Sequence, residues 1–135
     1  MIVVDSSAIV AVILGEPTGP DLAKRLVAET ESLLSVANYV ETGQVLGQRN
    51  PAAVQRTIAD FHDFLSAAKI SLAPIDEVQA RLALDARIRY GRGFGHPARL
   101  NYSDCFAYAL AKARNLPLLF IGEDFTHTDI VPALA

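Results

Sequence analysis

The chain has 135 residues, which suits one compact domain with a hydrophobic core and leaves no room for a second. Hydrophobic residues make up 51% and charged residues 20%, which excludes an intrinsically disordered chain, and no apolar run approaches the roughly 20 residues that span a bilayer. The net charge of −3 argues mildly against nucleic-acid binding driven by overall charge. With no signal-peptide pattern and a single cysteine, Cys105, we expect a soluble cytoplasmic protein with one domain over residues 1–135.

The first half of the chain alternates short β-branched runs with helical patterns. Ile2, Val3 and Val4 predict a buried parallel strand that stops at Asp5. A helix then follows over residues 8–14, with Ser6 or Ser7 as its cap and Gly15-Glu16-Pro17 as its end. The next predicted elements are a helix over 20–29 with Leu22, Leu26 and Val27 at core spacing, a strand over 33–36, and a helix that ends near Asn50 with Val36, Val40, Gly43 and Leu46 on one stripe.

The second half continues this alternation around a glycine-rich loop. Pro51 is placed in the first turn of a long helix, and Asn101 or Ser103 is expected to open a helix that runs through Ala113. Strands alternating with helices predict an α/β fold with a mostly parallel central sheet flanked by helices. The other predictions are an inward face of Ile58, Phe61, Phe64 and Leu65, a strand over 70–72, a helix over 76–89 with Val78, Leu82 and Ile88 inward, a core face of Phe106, Leu110 and Ala113, and a strand over 118–121.

Four carboxylates stand where a fold would otherwise prefer a neutral residue. Asp5 follows the first strand, Asp104 lies in the first turn of a helix, and Asp124 follows the last strand; Glu41 lies within an otherwise apolar helix. Each has an ordinary structural explanation on its own: a helix cap, a complement to the helix dipole, a turn residue or a solvated side chain. In parallel sheets, however, ligands bind beyond the carboxyl ends of the strands, and both Asp5 and the pair Glu123-Asp124 fall just past such an end.

Taken together, the four acids favour a metal site. Converging carboxylates repel one another unless a cation lies between them, and oxygen ligands suit Mg²⁺ or Mn²⁺. Zinc is disfavoured because one cysteine and three scattered histidines, His62, His96 and His127, form no tetrahedral set. One or two metal ions that activate a water and offset phosphate charge would support phosphodiester hydrolysis.

A basic stretch over residues 87–99 precedes Asp104 and contains no acid. Its arginines are candidates for holding the backbone of a single-stranded substrate, while Tyr90, Phe94 and Tyr102 are candidates for base stacking. The alternative is an ordinary solvated loop. The candidate nucleic-acid-binding arginines are Arg87, Arg89, Arg92 and Arg99.

The acidic motifs resemble those of the PIN-domain ribonucleases, specifically the VapC toxins of bacterial toxin–antitoxin pairs. The segments that carry the resemblance occur in the family's order and span residues 2–125. The block over 101–111, followed by Gly-Glu-Asp-Phe at 122–125, is the most specific part. The matching segments are 2–8, 37–41, 100–111 and 118–125.

This resemblance implies a Mg²⁺-dependent endoribonuclease, with Mn²⁺ as a possible substitute, whose principal metal ligands are Asp5 and Asp104. Glu41 and Asp124 complete the acidic cluster, with Glu123 as the alternative fourth acid. Ser6 or Ser7 would hold a carboxylate or a water. The resemblance further implies a small VapB-type antitoxin, whose docking could use exposed apolar residues between 20 and 68, and a homodimer. The RNA target stays open between transfer, ribosomal and messenger RNA.

Two other functions would also place acids at such positions. A haloacid-dehalogenase-like phosphatase would use Asp5 as nucleophile, but such sites usually need a second aspartate two residues on, where this chain has Ser7. A non-catalytic binding module would have no need to retain four mutually repulsive acids. The sequence therefore favours the metal-dependent nuclease.

Overall fold

The computed structural model describes residues 1–134, and the last residue of the predicted domain, Ala135, lies outside the described part. Within those residues, no helix is both long and apolar enough to traverse a bilayer. Short 3₁₀ helices over Pro51–Ala53 and Asp124–His127 accompany ten regular elements. These are β1 (Ile2–Val4), α1 (Ser6–Ile13), α2 (Gly19–Val27), β2 (Ser32–Ser35), α3 (Val36–Arg49), α4 (Val54–Ala67), β3 (Ile70–Ala73), α5 (Glu77–Tyr90), α6 (Asp104–Arg114) and β4 (Leu118–Leu119).

The four strands form one parallel sheet in the order β3-β2-β1-β4, which confirms the predicted α/β architecture. β1 lies inside the sheet, paired with β2 on one side and with β4 on the other. From β1 the chain adds β2 and then β3 on one side of the first strand, and it adds β4 on the opposite side of β1. The strand order therefore changes direction between β1 and β4, and ligands bind beyond the carboxyl ends of the strands at such a point.

Helices cover both faces of the sheet and create two cores. Ile2 and Val4 of β1 pack into the core that includes residues of α1 to α4, whereas Val3 between them packs into the core formed with α5 and α6. This alternation follows from the two-residue side-chain period of a strand. Because β1 is buried on both faces, its carboxyl end is held rigidly in the centre of the molecule.

Three predicted helix starts were wrong or unresolved, for local reasons. The cap of α1 is Asp5, whose carboxylate accepts the Ser7 N–H, and neither serine plays that part. Pro51 begins a separate 3₁₀ turn, and α4 starts at Val54. At α6, where the pattern left two candidates, the Asn101 side chain accepts the Asp104 N–H and the Ser103 hydroxyl makes no capping bond.

Several inward faces were also predicted wrongly. Val40 in α3 and Val78 and Ile88 in α5 are more than half exposed, and so is Val27 in α2. α2 buries Leu22 and Leu26 as predicted, whereas the buried faces of α3 and α5 consist mostly of small or polar residues. The spacing of apolar residues cannot predict such buried faces, because it relies on large apolar side chains. The buried residues of α3 are Asn38, Thr42, Leu46 and Gly47, and those of α5 are Gln79, Ala83, Ala86 and Tyr90.

The glycine-rich part of the basic stretch, residues 91–99, forms a loop, as predicted, and its two ends are tied together, whereas residues 87–90 are the end of α5. Gly91 bridges to Leu100, and the Arg92 N–H donates to the Leu100 carbonyl at 2.9 Å. Arg99 adopts a left-handed conformation with φ of 54°, which is uncommon for a residue with a Cβ. The closed stem places the following residue, Asn101, at a defined point next to the helix that carries Asp104.

Gly91 lets the chain leave α5 in close contact with its last turn. An added Cβ would lie 2.1 Å from the Arg87 carbonyl oxygen. We expect G91A to lower the free energy of unfolding by about 1–3 kcal/mol, since backbone must move to relieve the overlap. Urea denaturation with G43A as control measures this, because a Cβ at Gly43 meets nothing closer than 3.6 Å and alanine favours a helix by up to ~1 kcal/mol. Equal stability of G91A and wild type would contradict the prediction.

Candidate active site

An open cleft of about 390 Å³ lies beyond the carboxyl ends of β1 and β4. It brings together the four acids predicted from the sequence, although they are up to 119 positions apart in the chain. Its walls contain five acidic side chains and no basic one. The lining residues are Asp5, Ser6, Ser7, Val10, Glu16, Glu41, Val45, Asn101, Asp104, Ile121, Asp124 and Phe125.

Asp5 occupies the floor of this cleft and is almost fully buried. Its Oδ2 accepts hydrogen bonds from the Ser7 N–H at 3.0 Å and from the Ser7 hydroxyl at 2.6 Å. The Ser7 oxygen in turn accepts the N–H of Ile121, just past β4. The other carboxylate oxygen, Oδ1, is buried and has no hydrogen-bond partner in the structure. A buried acceptor without a partner is costly, so Oδ1 is the atom that a cation would satisfy.

Asp104 is held by a reciprocal cap at the start of α6. Its Oδ2 accepts the Asn101 N–H at 2.9 Å, while the Asn101 Oδ1 accepts the Asp104 N–H at 2.8 Å. This is the geometry of a capping box, in which two residues three apart satisfy each other's backbone donors. The sequence offered Asn101 only as a possible helix opener. The structure shows that it also orients the Asp104 carboxylate.

Glu41 projects from α3 between the segments that carry the two aspartates. Its Oε1 accepts the Ser6 hydroxyl and its Oε2 accepts the Ser103 hydroxyl, while the Asn38 amide lies 3.4 Å from Oε1. The two serines predicted as auxiliary residues thus serve different acids, because Ser6 holds Glu41 and Ser7 holds Asp5. Asn38 and Ser103 were not assigned a role at this site from the sequence, although both lie within the recognised motifs.

The fourth acid was left open between Asp124 and Glu123. Both residues are exposed, but Asp124, which begins the 3₁₀ helix after β4, lines the cleft and Glu123 does not. The negative charge of Asp124 also raises the pKa of Asp104, which Glu123 is not found to do. A further acid, Glu16, lines the cleft from the turn after α1. In the sequence, Gly15-Glu16-Pro17 indicates only the end of a helix.

Burial and mutual repulsion weaken the acidity of the two central aspartates. Burial raises the pKa of Asp5 to about 6 against the lowering effect of the Ser7 hydrogen bonds, and the charge of Glu41 adds to the rise. Burial likewise raises the pKa of Asp104 to about 7, with the negative charge of Asp5 as the next cause. Such a pair resists full ionisation near neutral pH unless positive charge is supplied.

The donor set fits a hard divalent cation. The cleft offers carboxylate and hydroxyl oxygens and neither sulfur nor imidazole ligands, which is what Mg²⁺ or Mn²⁺ prefers. No three such acids, histidines or cysteines among residues 1–134 are already gathered around one point. Both oxygens of Glu41 accept hydrogen bonds from serines.

The four arginines of the basic stretch separate into two pairs. Arg87 donates to the Leu100 carbonyl at 2.7 Å, and Arg89 bonds the Tyr90 hydroxyl and pairs with Asp85. These two guanidinium groups therefore already form hydrogen bonds or ion pairs within the protein. Arg92 and Arg99 instead line a cavity of about 450 Å³ in the loop, with His96 between them in the chain, and form no salt bridge within residues 1–134.

The aromatic candidates for base stacking also separate. Phe94 and Tyr102 are mostly exposed, whereas Tyr90 is buried against Tyr108 and is not accessible to a base. That part of the stacking prediction was wrong, because Tyr90 lies on the buried face of α5. No histidine lines the cleft. His62 bonds Tyr39, His96 accepts the Ala98 N–H, and His127 is exposed in the last 3₁₀ helix.

Comparison with known proteins agrees with this geometry. A family model described as the PIN domain matches residues 2–131. The ribonuclease VapC42 of Mycobacterium tuberculosis is 44% identical over 131 residues, which cover 97% of this chain and 98% of the relative. The chain belongs to the VapC ribonucleases of the PIN-domain family. Ribonuclease VapC28 of the same organism is 40% identical over 132 residues, with 98% of this chain and 97% of the relative covered.

Solved structures show the same fold at much lower identity. VapC20 of Mycobacterium tuberculosis, described as a toxin that cleaves the sarcin-ricin loop, aligns with a TM-score of 0.73 at 18% identity over 97% of both chains. VapBC2 of Rickettsia felis, bound to a promoter DNA fragment, aligns with a TM-score of 0.72 at 14% identity over 99% of this chain and 96% of the other. The predicted PIN-domain fold and family are thereby confirmed, and the dehalogenase-like alternative falls away.

Proposed function

We propose that this chain is a Mg²⁺-dependent endoribonuclease and the toxin of a VapBC-type toxin–antitoxin pair. One observation supports the metal dependence: Oδ1 of Asp5 is buried and has no hydrogen-bond partner, and Asp5 lines a cleft together with Glu41, Asp104 and Asp124. A purely structural role for Asp5 as a helix cap uses only Oδ2. The second oxygen calls for a cation, because the cleft contains no basic side chain that could neutralise it.

In this mechanism Asp5 and Asp104 would be the principal metal ligands, and Glu41 and Asp124 would complete the site. When bound, the metal would lower the pKa of a water molecule and offset charge on the attacked phosphate. The chain's own residues prepare the site. Ser7 holds Oδ2 of Asp5 through two hydrogen bonds, which leaves Oδ1 without a partner, and the cap between Asn101 and Asp104 fixes the second carboxylate.

The experiment that tests this proposal compares cleavage of a single-stranded RNA by the purified chain with Mg²⁺ and with EDTA. We expect cleavage only in the presence of the divalent cation, with Mn²⁺ as a substitute. Equal cleavage under both conditions would exclude the metal mechanism. A non-catalytic PIN module would cleave under neither condition and would bind no Mg²⁺ in a calorimetric titration.

We further propose that the RNA backbone contacts the loop cavity through Arg92 and Arg99. The cavity walls carry side-chain donors and no carboxylate, which suits an anion. Two guanidinium groups that share a cavity repel each other, and a phosphate between them would remove this cost. The loop leads directly through Leu100 to Asn101 on the rim of the acidic cleft, so a strand held in the loop would be directed toward the metal site.

Loss of either arginine should weaken RNA binding without affecting metal binding in the acidic cleft. We expect R92A and R99A to reduce affinity for a single-stranded RNA severalfold in EDTA, where no cleavage occurs. Each should also reduce the slope of log affinity against log salt by about 0.7, the value for one phosphate contact on a single strand. Fluorescence anisotropy over a salt series measures both quantities.

The matched control for this experiment is R114A. Arg114 is also exposed, but it lies in the last turn of α6, at the opposite end of that helix from Asp104. R114A should bind RNA nearly as wild type does, and R92K should retain most of the affinity because it keeps the charge. If R114A loses as much affinity as R92A, binding is nonspecific and the loop cavity has no special part.

The biological role follows from the relatives, among which solved structures include toxin–antitoxin complexes. We propose that a VapB-type antitoxin segment docks on the groove between α3 and α4, which Val54 lines with its exposed side chain. The exposed apolar side chains Val78, Leu84 and Ile88 of α5 are candidates for a homodimer contact. Cytoplasmic RNA would be the substrate. Co-purification with the product of a neighbouring reading frame tests the partner, and light scattering tests the dimer.

A further inference from the structure

We propose that Ser103 is a positioning residue of the metal site, which acts through Glu41 to set the separation of Asp104 from Asp5. This inference rests on the proposed function, since it concerns the same site. It starts from the position of Ser103 in the chain, directly before Asp104, and of Ser6, directly after Asp5. Each of these serines donates its hydroxyl proton to a different oxygen of the Glu41 carboxylate.

The hydroxyl of Ser103 has no role in capping its own helix. Ser103 occupies the residue before α6, where a serine oxygen would normally accept a backbone N–H, yet it makes no such bond. The Asn101 side chain caps this helix instead. The ordinary structural explanation for a serine at a helix start is therefore absent, and the hydroxyl is left for Glu41.

The single proton of the Ser103 hydroxyl has two acceptors within reach. One is the Glu41 carboxylate and the other is the Asn101 Oδ1 at 3.0 Å. The charged carboxylate is the stronger acceptor, and the Asn101 oxygen already accepts the Asp104 N–H at 2.8 Å. The proton thus goes to Glu41 in the ionised site.

A second contact ties the same segment to α3. The side-chain amide of Asn38 donates to the Ser103 carbonyl at 3.0 Å and lies 3.4 Å from Glu41 Oε1. Asn38 is fully buried one turn before Glu41, so its side chain links α3 to the backbone of Ser103 from a buried position. Glu41 therefore joins two segments that repulsion between Asp5 and Asp104 would drive apart, and Ser103 provides the link on the Asp104 side.

This role predicts a loss of metal affinity without a loss of the fold. Removal of a hydrogen-bond partner behind a metal site typically weakens metal binding 10- to 100-fold. We expect S103A to bind Mn²⁺ or Mg²⁺ about 10-fold more weakly or worse in a calorimetric titration, with the urea midpoint in EDTA nearly unchanged. S103T keeps the hydroxyl and should restore affinity to within about threefold of wild type. S71A, which removes an exposed hydroxyl on β3, is the matched control.

A double-mutant cycle with E41Q tests whether Ser103 acts through Glu41. When Glu41 is already replaced by Gln, S103A should weaken metal binding by less than about a further threefold, because the acceptor of the Ser103 hydroxyl is already altered. Wild-type metal affinity in S103A, equal losses in S103A and S103T, or additive effects of S103A and E41Q would each overturn this inference. Absence of metal binding by the wild type would instead refute the proposed function, so the two failures are distinguishable.

Discussion

D5N is expected to abolish RNA cleavage while leaving the fold intact. The substitution removes the charge that would bind the metal but keeps an oxygen that can accept the Ser7 N–H, and asparagine caps helices as well as aspartate does. Loss of a principal ligand should remove several kcal/mol of transition-state stabilisation, which corresponds to about a thousandfold or more in rate. Single-turnover cleavage of a labelled RNA with saturating Mg²⁺ measures this effect.

D76N is the matched control for this experiment. Asp76 caps α5 through the Gln79 N–H, so it performs the same local task as Asp5 but lies outside the cleft. We expect D76N to cleave RNA at the wild-type rate. Full activity of D5N would mean that Asp5 is only a helix cap. Equal losses in D5N and D76N would mean that helix capping, rather than metal binding, limits the activity.

The metal-free protein should become less stable as the pH rises from about 5 to 8. The pKa of Asp5 rises to about 6 and that of Asp104 to about 7 in the folded state, from 3.8 when unperturbed. The folded state therefore holds protons that the unfolded state releases, and this contribution to stability is fully present below about pH 4 and is lost progressively as the pH rises through 6 to 7. A shift of about two units at Asp5 corresponds to about 3 kcal/mol over that whole range, and roughly half of it, on the order of 5 °C in Tm, is lost above pH 5.

Thermal melts in EDTA across this pH range measure the effect, and Mg²⁺ at pH 8 should restore the lost stability because it binds the ionised carboxylates. D104N should flatten the pH dependence, while D76N should not. Glu29 and Asp129 have lowered pKa values, so their contribution is lost only as the pH falls through the acidic range, outside this window. A metal-free Tm that rises from pH 5 to 8 would contradict the buried-carboxylate interpretation.

The candidate site was partly predictable because its acids lie at element boundaries. A buried strand that ends in Asp5 and another that is followed by Asp124 place both acids at one edge of a parallel sheet, by topology alone. The choice of Asp124 over Glu123 was not predictable. It depends on which of two adjacent side chains the 3₁₀ turn directs into the cleft.

The partners of these acids could not be inferred from spacing. Ser103 and Glu41 are 62 positions apart, and their contact depends on how α3 packs beside the start of α6. Buried polar residues such as Asn38 and Thr42 interrupt the apolar stripe that a helix prediction relies on, which is why Val40 was assigned to the wrong face. Such residues are buried because tertiary hydrogen bonds satisfy them.

The sequence by itself determined the α/β class, the parallel sheet, the family and the four acids, since strand ends and short motifs are local properties of the chain. Tertiary structure alone decided which oxygen of Asp5 stays without a partner, which serine holds which acid, and which arginines remain outside the fold's own contacts. These depend on distances between segments that only packing brings together. Burial, which raises the pKa of Asp5 and Asp104, is likewise a property of the folded molecule.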